Sequence, residues 1–229
     1  MKKLTVTTSK NEMICGLAYI GIQVLLLPVL LAQGNLLLGK PLSAVQLNFL
    51  LFCIDFICVT VIFRNFLWRS AKQSLASPFR CLRSAVVGLL LYWLGTYAVN
   101  FLIFAVSPDF SNVNDASIYE LVQENYTLMT IGTVILVPIV EETLYRGVIF
   151  GNLYRKNRLA AYVISTFIFA SLHVIGYISQ FEPMQLALCF LQYIPAGLCL
   201  ARAYVSADSI WAPILMHMTI NQIGALAMR

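Results

Sequence analysis

Val137-Pro138-Ile139-Val140-Glu141-Glu142-Thr143-Leu144-Tyr145-Arg146-Gly147 sets two adjacent carboxylates inside an otherwise apolar run, with an arginine four residues after the second. An ionised carboxylate is expensive to place in hydrocarbon, so acids in such a run mark function by default. On a helix, Glu142 and Arg146 are spaced i, i+4 and share a face. Glu141 points about 100° away from Glu142. Arg146 therefore neutralises one glutamate and leaves the other free, which suits a single carboxylate acting as a general base. A plain ion pair at a helix end near the headgroups has the same spacing.

The surrounding chain decides what kind of helix this is. It has 229 residues, 60% of them hydrophobic and 11% charged, with a mean hydropathy of +0.81. A soluble domain carries about 25% charged residues. The composition predicts an all-α, polytopic transmembrane bundle. A membrane-crossing helix needs about 20 mostly apolar residues, and seven segments qualify: 13–33, 44–63, 84–106, 126–152, 159–179, 184–204 and 210–228. No internal repeat or long linker interrupts them, so one continuous membrane domain is expected. The first apolar run, Met13 to Leu31, is too long for the core of a signal peptide and reads as a transmembrane helix. The six cysteines form no CxxC pair and read as small packing residues. The basic residues fall in short clusters between apolar runs, which argues against nucleic acid and leaves membrane lipid as the partner.

Those clusters set the orientation. Of the fifteen Lys and Arg, all but Lys40 and Arg229 map to one side: Lys2, Lys3 and Lys10, then Arg64 to Arg83, then Arg146 to Arg158, then Arg202. Asp109, Asp115, Glu120, Glu124 and Glu182 map to the other. The expectation is a multi-pass protein of the cell membrane with its N-terminus in the cytoplasm. The basic stretch 64–83 also contains Phe66, Leu67, Trp68 and Phe79; it fits either an amphipathic helix on anionic lipid or a solvated connector.

The only two histidines, His173 and His217, both lie in apolar segments. Each comes with an i, i+4 companion: Phe169 for His173 and Asn221 for His217. Counted from a turn near Asn157, Glu141 lies 16 residues before and His173 16 after, so the two share a level. His217, counted from a turn near Asp208, comes out shallower by roughly 10 Å at 1.5 Å per residue. Kinks at Pro138 and Pro213 would close that gap. A carboxylate, two histidines and an amide thus converge, and His and Asn supply the donors that a developing oxyanion needs. There is no HExxH zinc helix and no GxSxG elbow. Two histidines and a glutamate are also a known zinc ligand set. Asp55 is a further acid in an apolar run, read as hydrogen-bonded between helices.

Glu141-Glu142-x-x-x-Arg146, Phe169-x-x-x-His173 and His217-x-x-x-Asn221, in this order, resemble the CPBP family of CAAX-processing proteases and bacteriocin-processing or immunity proteins. The resemblance covers roughly residues 126–228. It divides the chain into residues 1–125, helices without a recognised motif, and 126–229, a CPBP-type core. It implies a helical intramembrane endopeptidase whose site faces the cytosolic half. By that analogy Glu141 activates water, His173 helps hold it, and His217 and Asn221 stabilise the oxyanion. Glu142 and Arg146 become structural support. A glutamate mechanism needs no cofactor and no metal; members of the family have also been called metalloproteases. The short loops look bacterial, so peptide or membrane-protein substrates are expected rather than prenylated ones. The rival readings are a bacteriocin self-immunity protein and a small proton-coupled transporter.

Overall fold

The computed structural model describes residues 4–229; Lys2 and Lys3, counted above in the charge asymmetry, lie outside them. The described residues form nine helices and no strand: α1 Lys10–Leu36, α2 Ala44–Ile62, α3 Arg64–Ala76, α4 Pro78–Val106, α5 Val113–Glu124, α6 Tyr126–Tyr154, α7 Arg158–Leu172, α8 Pro183–Ala207 and α9 Trp211–Ala227. Polar caps set their starts. Ser9 and Glu12 cap α1 reciprocally, as do Ser43 and Gln46 for α2, and Asn112, Asn125 and Asn157 accept from the first-turn amides of α5, α6 and α7. Pro78 takes the first turn of α4, where its missing N–H costs nothing.

Six helices are long and apolar enough to cross a membrane, so this is a multi-pass membrane protein. The seventh expected segment is α9, whose 17 residues rise only about 26 Å. Two helices were not expected as such. The basic stretch is folded into α3 and the first two turns of α4. On α3, Phe66, Leu67 and Ser70 are buried while Trp68 and Leu75 are exposed. The acidic connection between α4 and α6 contains α5, whose Val113 and Val122 are buried.

α6 is the axis of the bundle. Half of its apolar stretch is buried inside the protein, against 6% for α4, whose Leu90, Leu94 and Phe101 face outward. α6 departs from α-helical pitch at Ile131–Leu136 and again at Glu142–Phe150, both π-helical and on either side of Pro138. Pro138 has no N–H to give to the ladder, and π-turns of this kind often accompany functional sites. Close approach to α6 uses small residues. Gly16 of α1 lies so near Val148 that a Cβ there would meet it at 2.6 Å. Gly147 and Gly151, spaced like a helix-contact motif, serve different neighbours: Gly147 admits the Phe66 ring of α3 and Gly151 lies against Tyr204 of α8.

The residues before α1 tie the basic end together. Thr5 donates from its backbone N–H (2.7 Å) and its hydroxyl to Asp208; Val6 N–H reaches the same carboxylate, and Tyr204 donates to the Val6 carbonyl at 2.5 Å. Asp208 closes α8 at φ 57°, a left-handed position that a short polar side chain tolerates. The following turn is covered by α3: Ser209 Oγ donates to the Ser70 carbonyl at 3.0 Å, and Ile210 N–H donates to Ser70 Oγ at 2.7 Å. The turn between α8 and α9 is therefore buried, unlike the exposed α6–α7 turn at Arg155–Asn157.

Candidate functional site

That buried turn changes the depth of His217. The estimate of a 10 Å offset assumed the α6–α7 and α8–α9 turns at one level. Because the second turn is sunk beneath α3, His217 comes level with the glutamates, and its Nδ1 lies 2.9 Å from Glu142 Oε1. Glu142 and Arg146 are fully buried and meet at 3.1 Å, again through Oε1. One carboxylate oxygen thus receives both a guanidinium and an imidazole. Arg146 also reaches the Gly197 carbonyl at 3.5 Å, and its guanidinium lies over the Phe169 ring at 4.2 Å. Counting Arg146 among the charges that orient the chain was wrong, because it is sealed inside the bundle and faces no aqueous side.

Phe169 is more than the helix-face companion of His173. Its ring contacts Arg146 on one side, His173 at 4.6 Å, and His217 edge-on at 6.1 Å. It holds apart two histidines and a cation that would otherwise crowd. His173 does not lie within its helix; it follows Leu172 as the cap of α7. Its Nδ1 lies 2.8 Å from the Phe169 carbonyl. A carbonyl only accepts, so Nδ1 carries the hydrogen and the neutral ring presents a lone pair at Nε2. The same reasoning applies to His217, whose Nδ1 faces a carboxylate. His217 donates from Nε2 only as an imidazolium.

Glu141 differs from Glu142. It is half-buried, and its Oε2 meets no donor among the described residues. It lines a cavity of about 760 Å³ together with His173, His217 and Asn221. Asn221 donates through Nδ2 to the Thr133 carbonyl at 2.7 Å, in the first π-helical stretch of α6. It does not contact His217 by that amide. Asp55 reaches the cavity from α2, held by the Tyr19 hydroxyl at 2.7 Å and Gln23 at 3.1 Å. The interhelix hydrogen bonding read for Asp55 is present.

Tyr193 on α8 was missed. It stacks on His173 with ring centroids 4.1 Å apart and planes 28° apart. Its hydroxyl accepts from Asn114 at 3.0 Å and donates toward Asp115 at 3.3 Å. The signal was present in sequence: Gln192-Tyr193 interrupts an apolar run just before Pro195. A metal would need three converging ligands. No group of three His, Cys, Asp or Glu among the described residues has the spacing to hold one.

The cavity has a direction. From Glu141 and Tyr145 it runs toward α5, bounded by Asn112, Ser117 and Leu121 there and by Thr133 and Met228 on either side. No residue of α3, the α6–α7 turn or the α8–α9 turn lines it. It therefore opens away from the basic end.

Comparison with known proteins adds the following. Residues 123–223 match the family described as Type II CAAX prenyl endopeptidase Rce1-like. A relative from Bacillus subtilis (strain 168), named "Putative membrane peptidase YdiL", is 30% identical over 125 residues, 54% of this chain and 46% of that protein. The match spans less than half of the relative's length. No solved structure matches the chain.

Proposed function

We propose that this chain, whose residues 123–223 match the family described as Type II CAAX prenyl endopeptidase Rce1-like, is an intramembrane endopeptidase that hydrolyses peptide bonds by glutamate-activated water. The observation that carries this is the division of two adjacent carboxylates. Glu142 is occupied by Arg146 and His217, while Glu141 faces the cavity beside His173. A water between them gives one hydrogen to Glu141 and the other to the His173 Nε2 lone pair. Its oxygen lone pair then points at a carbonyl carbon. As the C–O bond forms, Glu141 takes the proton and the carbonyl oxygen gains the charge. Asn221, with its second Nδ2 hydrogen, and His217, as an imidazolium countered by Glu142, are donors to that oxygen. The proton on Glu141 passes to the departing nitrogen as the C–N bond breaks.

The reaction as written uses no metal or other cofactor. The substrates are peptides or membrane proteins rather than prenylated chains, and membrane lipid surrounds the bundle. The protein resides in the cell membrane with its N-terminus in the cytoplasm. The test is purified protein in liposomes with a quenched fluorescent peptide library. Glu141→Gln should abolish cleavage without altering unfolding in detergent. Cleavage at the wild-type rate by Glu141→Gln would overturn the proposal.

A further inference from the structure

We infer that the site is loaded from the face of the membrane opposite the basic connections, the extracytoplasmic face, and takes polypeptide presented there; this rests on the peptidase reading above. Two observations combine. The first is the cavity's course. Its lining on α2 is Asn48 to Asp55, the half nearer α5; on α4 it is Tyr92 to Asn100, again that half; and on α9 it is His217 to Met228. α2 runs toward the basic end and α4 and α9 run away from it, so all three stretches lie at the α5 end of the bundle. The second is charge. Among the described residues, the end away from α5 holds Lys10, Arg64, Arg69, Lys72, Arg80, Arg83, Arg155, Lys156, Arg158 and Arg202, and only Lys40 and Arg229 lie at the α5 end. Removing the buried Arg146 from the count leaves this asymmetry in place. Positive loops stay in the cytoplasm, so the mouth lies outside.

The mouth has the chemistry of a polypeptide-binding surface. Asn112 donates to Gln192 Oε1 at 2.7 Å, and Gln192 donates to Asn100 Oδ1 at 2.8 Å. Each side-chain amide carries a donor and an acceptor, as a peptide group does, and so exchanges its amide partners for main-chain groups without net loss of hydrogen bonds. The ladder adjoins Tyr193, which stacks on His173. An extended segment laid along Asn100, Gln192 and Asn112 leads from the outer face to the proposed catalytic pair.

The experiment labels single cysteines in a cysteine-free background with a membrane-impermeant polyethylene glycol maleimide, in right-side-out vesicles. Ser117→Cys lies in the mouth and Arg155→Cys in the exposed α6–α7 turn. Position 117 should label in intact vesicles and position 155 only after permeabilisation. Labelling at 117 should then reduce cleavage of the peptide used above at least tenfold, while labelling at 155 leaves it unchanged. Labelling of 117 only after permeabilisation would overturn the inference, as would its absence in folded protein that labels once denatured. Undiminished cleavage by the protein labelled at 117 would also overturn it. Sidedness is read without cleavage, so an inactive protein sinks the peptidase reading while the orientation is still decided.

Discussion

Arg146→Met tests whether the buried ion pair holds the core of the site together. The change keeps much of the side-chain volume and the contact with Phe169 but removes the positive charge. Arg146 and Glu142 are both fully buried and 3.1 Å apart. At an effective dielectric of about 20 their attraction is about 5 kcal/mol. Most of that offsets the cost of burying the charges, so the loss on breaking the pair is set by the carboxylate left behind, about 3–5 kcal/mol. That is roughly two to three and a half powers of ten in the unfolding equilibrium. Glu142→Gln with Arg146→Met removes both charges and should recover at least about 2 kcal/mol of the loss, since no uncompensated ion remains. Unfolding in mixed detergent micelles compares wild type, the two single mutants and the double mutant. A single mutant within about 1 kcal/mol of wild type, or additive losses in the double mutant, would refute the reasoning.

The remaining expectations concern packing, the oxyanion and the metal. Gly147→Ala should destabilise by about 1–3 kcal/mol through overpacking, because the new methyl would meet Phe66 at 2.9 Å; Phe66→Leu should restore part of it in the same unfolding assay. Gly197→Ala should cost more, since its methyl would meet Thr166 at 2.7 Å from the side chain and 3.1 Å from the backbone, which cannot swing aside. Asn221→Ala should lower kcat by about 10²–10³ with little change in KM if the amide serves the oxyanion. Asn221→Asp should be at least as damaging, because a carboxylate repels both the oxyanion and the Thr133 carbonyl that the amide now bonds; near-wild-type kcat for Asn221→Asp would reject that role. Cleavage in liposomes should survive exhaustive chelation, and loss of activity restored by stoichiometric zinc would reverse the metal-free assignment.

The helices were legible because lipid demands long apolar runs, and the Glu142–Arg146 contact was legible because it is local to one helix. What failed to show depended on a different physical quantity. α5 has only Val113 and Val122 fully buried and too short an apolar face to stand out from a loop. The level of His217 depended on the depth of a turn, which is fixed by Ser70 on another helix. Tyr193 reaches His173 across a helix interface, a contact no i, i+4 pattern contains. There is a more general reason in the medium. Leu94 of α4 is 67% exposed and Leu144 of α6 fully buried, yet both are leucines in apolar runs. In water the outward one would be costly, and periodicity would reveal the inner face. In lipid neither position is penalised, so the apolar pattern does not distinguish surface from core. Polar residues keep the information. Glu141, His173, His217 and Asn221 were readable because hydrocarbon tolerates them only toward the interior, and the structure places all four on one cavity. In a bundle of this kind, the polar residues orient the helices, and the leucines fill whatever space those choices leave.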